Sequence, residues 1–256
     1  MEDEKKTFTG MKENHIEGRN AVLEAFRSGR TIDKLYVLDG CQDGPVRSIT
    51  REARKHDTIV NYVTKERLDQ ISETGKHQGV IAVSAAYDYA RVEDILALAE
   101  KKGEPPFILI LDGIEDPHNL GAIIRTANQA GAHGVIIPKR RAVGLTPTVA
   151  RTSAGAVNYV PVAKVTNISN TMKELKDRGM WFVCADMDGT LMYDMDLTGP
   201  IGLVIGNEGD GVSPLVKKNC DMVASIPMKG DIDSLNASVA VGVLSYEIVR
   251  QRMKKG

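Results

Sequence analysis

Residues 107–111 read Phe-Ile-Leu-Ile-Leu, an unbroken apolar run that follows Gly103-Glu-Pro-Pro106. A strand with one face in water alternates polar and apolar residues, so an unbroken run is typical of a strand buried on both faces of a parallel sheet. Two consecutive prolines cannot continue a helix, and they mark a linker just before this strand. We therefore predict that a parallel α/β domain begins near residue 105.

Downstream of this strand, helical and strand patterns alternate to the end of the sequence. We predict helices near residues 120–130, 172–178 and 237–251, and strands at 134–137, 181–185, 202–205 and 222–226. This alternation predicts βαβ units, and therefore an open parallel sheet covered by helices.

Upstream, the same kind of alternation predicts a second, smaller α/β domain. A helix capped by Asn20 and another over 45–55 are expected among strands at 34–38, 59–63 and 79–84. An amphipathic helix over 91–102 precedes the linker. The predicted segments are a disordered tail (1–14), a small domain (15–86), a helix and linker (87–104) and the large domain (105–256).

The composition excludes several classes of protein. The 256 residues carry 33 Lys and Arg against 34 Asp and Glu, and no apolar run approaches the ~18–20 residues of a membrane helix. No apolar segment near the acidic start resembles a secretory signal. Cys41, Cys184 and Cys220 lie far apart, which argues against a disulfide framework and a Cys-rich metal site. We expect a cytoplasmic protein.

The net charge of -1 restricts how this chain can bind nucleic acid. Proteins that bind mainly by neutralising phosphates are usually basic. Positive charge must therefore be local, as in Lys139-Arg-Arg141 or in residues 250–255, of which the second is predicted to be a solvated surface. The sequence also lacks a Gly-x-Gly-x-x-Gly after a strand and a phosphate-binding P-loop motif, which argues against Rossmann dehydrogenases and P-loop enzymes.

Unusual residues instead follow the strands, where ligands bind in α/β sheets. The first stretch runs from Asp112 to Thr126 and contains Asn119 and, six residues later, Arg125. A cation in an otherwise apolar helical segment needs a partner or a polar cleft. Two interpretations remain open: Arg125 pairs with a carboxylate of its own domain, or it serves a functional site.

The second stretch is Gly206-Asn-Glu-Gly-Asp-Gly211, with Glu208 between glycines. It allows either a close approach of backbone to a ligand or a flexible acidic turn. The third stretch runs from Ile226-Pro227 to Ser234-Leu-Asn-Ala-Ser238, at the entrance of the last helix. One of its polar side chains is expected to cap that helix, and the others exceed what capping requires.

Together these stretches resemble the three motifs of the SpoU branch of the SPOUT RNA 2′-O-ribose methyltransferases. The motifs are Asn with Arg six residues on, then Gly-x-Glu-Gly, then Ile-Pro followed by Ser-Leu-Asn, and they span about Pro105 to Gln251. Residues 16–26 and 77–81 are similar to that family's N-terminal substrate-binding domain, which has an L30e-like fold. The nearest resemblance is to members that methylate a guanosine of large-subunit ribosomal RNA.

The resemblance implies a trefoil knot in the C-terminal domain, S-adenosylmethionine as methyl donor, no metal, and a homodimer. It assigns contacts with the donor to Gly206, Ile226 and Leu235. It places on the catalytic side Asn119, Arg125, Glu208, Ser234 and Asn236. The expected reaction is methylation of a ribose 2′-OH in RNA, most simply a guanosine of 23S ribosomal RNA. Methylation of transfer RNA and resistance methylation of ribosomal RNA remain alternatives.

The chemistry of this reaction requires positioning and removal of one proton, because the donor is already activated. Arg125 is an unusual base, because a guanidinium holds its proton very tightly. Its two possible roles are therefore those of a perturbed base and of a positioning group for phosphate and hydroxyl. The apolar last helix, with Val239, Val241, Leu244 and Ile248, favours burial against a partner copy.

Two other functions need to be weighed. Residues 181–194 contain Asp186-Met-Asp-Gly-Thr190 after a strand, which resembles the nucleophile motif of haloacid-dehalogenase-type phosphatases. Too little sequence follows it for that fold, so we expect a strand followed by an acidic turn at Asp188-Gly189. A non-catalytic RNA-binding or assembly factor is the other alternative. His118 and His133 lack neighbouring metal ligands and are predicted to lie in a turn or at the surface.

Overall fold

A computed structural model describes residues 14–231 and 234–255. The described chain divides into two compact units. The first comprises the residues up to Asp88 together with residues 144–147, and the second comprises the rest. The tail predicted over residues 1–14 lies, except for Asn14, outside the described residues.

The first unit is a small α/β fold built on a mixed sheet. The sheet has the order β1-β4-β2-β3, in which β2 and β3 are parallel and the other pairs antiparallel. Apolar side chains of two helices and of the sheet form its core. In chain order the elements are β1 (His15–Glu17), α1 (Arg19–Arg27), β2 (Ile32–Leu38), α2 (Gly44–Lys55), β3 (Ile59–Val63), α3 (Lys65–Ile71) and β4 (Val80–Ser84).

Helix α1 begins two residues earlier than the sequence predicts, with Gly18 rather than Asn20 at its cap. Gly18 turns the chain into the helix with a φ of 89°, a conformation that glycine adopts at low cost. The amide of Arg19 then donates a hydrogen bond to Gln78 Oε1 at 3.2 Å. The prediction that Asn20 caps the helix is therefore wrong, because Asn20 lies inside its first turn.

The second unit contains six parallel strands in the order β10-β8-β9-β5-β6-β7, which confirms the predicted parallel sheet. Among its described helices, none is both long and apolar enough to cross a membrane. Its elements are α4 (Val92–Lys102), β5 (Phe107–Asp112), α5 (Pro117–Gln129), β6 (Gly134–Pro138), α6 (Pro147–Thr152), β7 (Val162–Val165), α7 (Ile168–Lys176), β8 (Trp181–Leu191), β9 (Ile201–Gly206), α8 (Pro214–Lys218), β10 (Met222–Ser225) and α9 (Ala237–Lys255).

Strand β5 is buried as its apolar run predicts, since Phe107 and the next four residues are at most 1% exposed. His133, just before β6, is also completely buried, so its predicted turn or surface position is wrong. Its Nδ1 accepts a hydrogen bond from the Phe107 amide at 3.0 Å, and its Nε2 lies 3.1 Å from Glu104 Oε2. Burial lowers the pKa of His133. The ring is therefore neutral, with its proton on Nε2.

Strand β8 extends through the aspartate motif, so the predicted acidic turn is wrong. Its pairing with β10 shifts register, because Cys184 faces Val223 and Thr190 faces the next residue of β10. The intervening residues bulge from the strand. Lys217 Nζ lies 2.6 Å from Asp186 Oδ2, and this contact holds the pKa of Asp186 below its usual value. The described residues contain no group suited to a metal ion, and Asp186 is engaged in an ion pair.

The last helix, α9, packs against α5 and β9. Val241, Leu244 and Ile248 are buried, whereas Val239 and Tyr246 are about half exposed, at 49% and 51%. The two exposed residues lie seven apart, so they share one face of the helix. That face is apolar and is not covered by the described residues of this chain.

The C-terminal end of α9 is fixed by Arg252, which corrects the prediction of a purely solvated basic cluster there. Its Nη1 donates to the carbonyl of Pro105 at 3.0 Å. Its Nη2 donates to the carbonyls of Pro106 at 3.2 Å and Gly199 at 2.8 Å. Burial lowers the pKa of this guanidinium. Arg252 therefore ties the helix to the residues that precede β5 and β9.

The carboxyl ends of β5 and β9 are neighbours in the sheet, and the chain leaves them in opposite directions. From β5 it proceeds through α5 to β6 on one side, and from β9 it proceeds through α8 to β10 on the other. Such a switch point forms a crevice in which α/β proteins bind ligands. The strand order is compatible with the implied trefoil knot, which stays a prediction.

Candidate active site

Three loops meet at the carboxyl edge of the parallel sheet. They follow β5, β9 and β10. The residues singled out from the sequence lie in these loops or at their junctions with β9 and α5, except Arg125, which lies further along α5. The third loop is described for residues 226–231 and 234–236.

Helix α5 begins at Pro117, three residues before the predicted start. The carboxylate of Asp116 accepts a hydrogen bond from the amide of His118 at 2.9 Å, and proline suits the first position of a helix. This start places Asn119 in the first turn of α5, where its side chain faces the other two loops.

A single carboxylate oxygen joins the three loops. Glu208 Oε1 accepts a hydrogen bond from Asn119 Nδ2 at 3.0 Å, a short one from Asn236 Nδ2, and one from the amide of Ala237 at 3.3 Å. Asn236 Nδ2 also donates to Asn119 Oδ1 at 2.9 Å. We call these three side chains, Asn119, Glu208 and Asn236, the polar triad. Among the described residues, Glu208 Oε2 has no hydrogen-bond partner.

The same contacts form the start of α9. Asn236 Oδ1 accepts hydrogen bonds from the amides of Ser238 at 3.0 Å and Val239 at 3.4 Å, so Asn236 is the capping residue of the three polar candidates. The carboxylate of Glu208 lies at the same helix terminus, where negative charge is favoured. Ser234 is exposed and takes no part in the triad.

The glycines of the second loop serve the loop itself. A Cβ on Gly206 would lie 1.9 Å from the carbonyl carbon of Gly211, so only glycine allows the loop to close. Asn207 Oδ1 accepts hydrogen bonds from the amides of Gly209 at 2.9 Å and Asp210 at 2.6 Å. Asn207 therefore holds Glu208 at the apex of a structured turn, a role that the sequence reasoning missed.

Asp112 is a second missed residue. It ends β5, and its Oδ2 accepts a hydrogen bond from the amide of Ser213 at 2.8 Å, which ties the loop after β9 to β5. The sequence does contain a signal for Asp112, which is its position directly after the apolar run. Loops meet at the carboxyl ends of parallel strands, so a polar residue there can join them.

Arg125 is exposed, and it makes no ion pair with the described residues. Arg125 is not buried in the apolar segment, and the described residues provide no carboxylate partner for it in its own domain. The reason is that α5 buries the opposite face, with Leu120, Ile124 and Ala127. Six residues separate Arg125 from Asn119, which corresponds to about 9 Å along the helix and about 120° around it. The single chain therefore does not bring Arg125 into the polar triad.

The residues predicted to contact the methyl donor flank the triad. Gly206 ends β9, Ile226 follows β10, and Leu235 precedes the cap of α9. Ile226 and Leu235 are half-buried and offer apolar surface at this edge. The basic residues Arg140 and Arg141 follow β6, next to β5, and are exposed at the same edge.

Comparison with known proteins agrees with this geometry. Residues 106–246 match the model of the SpoU rRNA methylase family, and residues 15–90 match the model for RNA 2′-O ribose methyltransferase substrate binding. The chain belongs to the SpoU methylase family.

Relatives of this SpoU methylase match nearly its whole length. A Bacillus subtilis protein assigned to the TrmH family of tRNA/rRNA methyltransferases, YacO, is 48% identical over 244 residues, which cover 95% of this chain and 98% of the relative. A TrmH family relative from Staphylococcus aureus is 43% identical over 247 residues, which cover 96% of this chain and 99% of the relative.

Solved structures of the family extend the comparison to the cofactor. The SpoU methyltransferase AviRb from Streptomyces viridochromogenes, in complex with AdoMet, is 27% identical with a TM-score of 0.60, covering 94% of this chain and 90% of that one. The TrmH/SpoU tRNA modifying enzyme of A. aeolicus is 31% identical with a TM-score of 0.54, covering 64% and 85%. The chain is thus a SpoU/TrmH-type RNA methyltransferase that uses S-adenosylmethionine.

Proposed function

We propose that this SpoU methylase transfers the methyl group to the 2′-hydroxyl of a ribose, and that its substrate is a guanosine of 23S ribosomal RNA. The observation that supports the proposal best is the polar triad, in which the carboxylate of Glu208 keeps one oxygen available at a ligand-binding edge of the sheet. The predicted cytoplasmic location follows from this substrate.

The residues around the triad suit the methyl donor. Ile226 and Leu235 offer apolar surface to an adenine ring, and the carboxylate of Glu208 complements the positive charge of a sulfonium. S-adenosylmethionine, when bound, supplies an activated methyl group. The chain's own side chains then need to hold the acceptor hydroxyl in line and to assist the loss of its proton.

Arg125 is proposed to position the RNA rather than to act as the base. The guanidinium is exposed and makes no ion pair with any described residue, so it can bind an anion. Its planar fork suits a phosphate oxygen together with a neighbouring 2′-oxygen. An arginine in water holds its proton firmly, which disfavours its use as a base.

We propose a homodimer in which Arg125 of one copy completes the polar triad of the other. Arg125 lies on a different face of α5 from Asn119 and the rest of the triad. Helix α9 packs against α5, and its apolar face with Val239 and Tyr246 is exposed. Pairing through this region would bury that face and bring the separated groups together.

Mixing two inactive variants tests this arrangement. Arg125→Ala and Asn236→Ala are expected to be inactive alone, but a mixed dimer would contain one complete site and regain activity. Sedimentation should show a dimer at micromolar concentration. A monomer would rule out the dimer, and two variants that never complement each other would place Arg125 and the triad of one copy in the same site.

Mapping of 2′-O-methyl groups tests the reaction itself. Tritiated methyl groups from the donor should appear in 23S ribosomal RNA, at a guanosine whose 3′ linkage becomes resistant to alkaline hydrolysis. A transcript with a 2′-deoxyguanosine at that position should accept no label. Labelling of transfer RNA instead would favour the tRNA alternative. Resistance to an antibiotic that binds at the methylated site would favour resistance methylation. RNA binding without any transfer would favour an assembly factor.

A further inference from the structure

The first unit contains a basic cleft that the methyl-transfer site does not use. The cleft has a volume of about 500 Å³ and lies along α2, between the loop after β2 and strand β3. The side chains that matter here are three arginines of α2, Arg47, Arg51 and Arg54, and Tyr62 of β3.

The three arginines form one row. Their spacing of four and three residues places them on the same face of α2, and all three are exposed. None of them makes an ion pair with the described residues. Glu52, on the same helix, is instead paired with Lys55, whose Nζ lies 2.7 Å from Glu52 Oε1.

Like charges at this spacing repel each other and do not stabilise the helix. The acidic residue among those that line the cleft is Asp39, whose Oδ1 accepts a hydrogen bond from the amide of Gly40 at 2.9 Å. The cleft therefore keeps a net positive charge, which an anionic ligand would neutralise.

Tyr62 adds an aromatic surface to this charge. It lies on β3, the edge strand of the mixed sheet, and 55% of its surface is exposed. An exposed aromatic ring beside a row of arginines is the combination with which proteins bind single-stranded nucleic acid. The bases stack on the ring, and the cations follow the phosphates.

We propose that this cleft binds a single-stranded segment of the substrate RNA, with one base stacked on Tyr62 and the adjoining phosphates bound by Arg47, Arg51 and Arg54. The volume suits a ligand group about the size of one nucleotide. An acidic peptide would use the arginines but would have no need of the ring. The inference rests on the proposed function in one respect, that RNA is the substrate.

The test compares charge-matched variants of the full-length protein. The cleft variant is Arg47→Gln/Arg51→Gln/Arg54→Gln. The control removes three exposed cations that do not line the cleft, as Arg27→Gln/Arg30→Gln/Lys101→Gln. The probes are a short oligoribonucleotide of mixed sequence and the duplex of the same length, with affinity measured at several salt concentrations.

The cleft variant should bind the single strand about tenfold or more weakly than the control variant. Its slope of log affinity against log salt should be smaller by about 2, which is about 0.7 for each of three lost phosphate contacts. Donor affinity should not change. Equal weakening of both variants would show generic attraction and overturn the proposal, and so would a loss seen only with the duplex.

Tyr62 separates stacking from charge. Tyr62→Ala should weaken binding of the single strand about tenfold, and Tyr62→Phe should restore it, because stacking needs the ring and not the hydroxyl. If Tyr62→Phe does not restore binding, the proposal that a base stacks on the ring of Tyr62 is wrong. Suppose that the wild-type protein methylates RNA, and that the triple arginine variant and Tyr62→Ala both keep the RNA affinity and the KM for RNA of the control. The cleft proposal is then wrong, and the proposed function is unaffected. If the wild-type protein binds RNA through the cleft but does not methylate it, the proposed function is wrong and the cleft proposal stands.

Discussion

The two edges of the parallel sheet contain similar polar side chains in opposite states. At the amino edge, Arg252 donates to three carbonyls and His133 is fully buried between an amide and Glu104. At the carboxyl edge, Arg125 is exposed without an ion pair, and Glu208 has one oxygen without a partner among the described residues.

This difference teaches how to separate structural from functional polar residues in such a sheet. Groups that are buried or half-buried and make their hydrogen bonds to the protein stabilise the fold. Groups that are held in place but keep capacity at a topological switch point are available for substrate. The residue type alone does not distinguish them, because arginine occurs in both states.

Arg125 should give the largest effect on activity. Arg125→Ala is expected to lower methyl transfer about 100-fold or more, because a preorganised cation for phosphate and 2′-oxygen is lost. Arg125→Lys should also be severely impaired, since it keeps the charge but loses the fork. Calorimetric titration should show unchanged donor affinity, and thermal melting should show an unchanged Tm.

The matched control is Arg178→Ala, which removes an exposed arginine after α7. It should retain wild-type activity. Near-normal turnover of Arg125→Ala would contradict the assignment, and recovery by Arg125→Lys would show that generic attraction is sufficient.

Asn236 allows the capping role to be separated from the role in the triad. Asn236→Asp keeps an oxygen that caps α9, but it removes the donor to Glu208 and adds a negative charge beside it. Methyl transfer should fall at least as far as in Asn236→Ala. Only the alanine variant should lose the cap, at a cost of about 1 kcal/mol in the free energy of unfolding. An active aspartate variant would reduce Asn236 to a capping residue.

Arg252 should show the opposite behaviour to Arg125. Arg252→Met is expected to lower the free energy of unfolding by about 2–3 kcal/mol, because three carbonyls lose a charged donor. Turnover per folded molecule should stay near wild type, since this side chain lies at the amino edge. Denaturant unfolding together with an active-site titration distinguishes the two quantities, and a loss of turnover without a loss of stability would contradict the comparison.

Much of this fold was predictable from the sequence, because buried parallel strands are unbroken apolar runs. Phe107–Leu111 predicted β5 to within one residue, and the helix and strand alternation predicted the sheet. Short elements were missed, such as the four-residue strand β7, because so few residues show no clear period. The predicted end of β8 was wrong because the strand continues past a register shift, and such a shift leaves no periodic pattern in the sequence.

The members of the triad were predictable only through the resemblance, and their contacts were not predictable at all. Glu208 and Asn119 are 89 residues apart, and a pattern in one segment cannot show that their side chains meet. Local sequence context also failed to show that Arg125 is exposed and that His133 is buried. The apolar neighbours of Arg125 face the other side of α5, and the neighbours of His133 gave no sign of its burial.

Substitution of His133, at the amino edge, should give the smallest effect, a change in how the free energy of unfolding depends on pH. Burial lowers the pKa of His133 in the folded state, whereas the unfolded chain has the ordinary value of about 6.5. Below about pH 6.5 the unfolded state therefore binds a proton that the folded state refuses, so stability falls as pH falls, by at most about 1.4 kcal/mol per pH unit. His133→Gln keeps polar atoms at this position but cannot titrate, so its unfolding free energy should fall less steeply between pH 6.5 and 5. The difference between the two slopes isolates this residue from the other groups that titrate, and parallel curves would show that His133 accepts its proton in the folded protein at its usual pH.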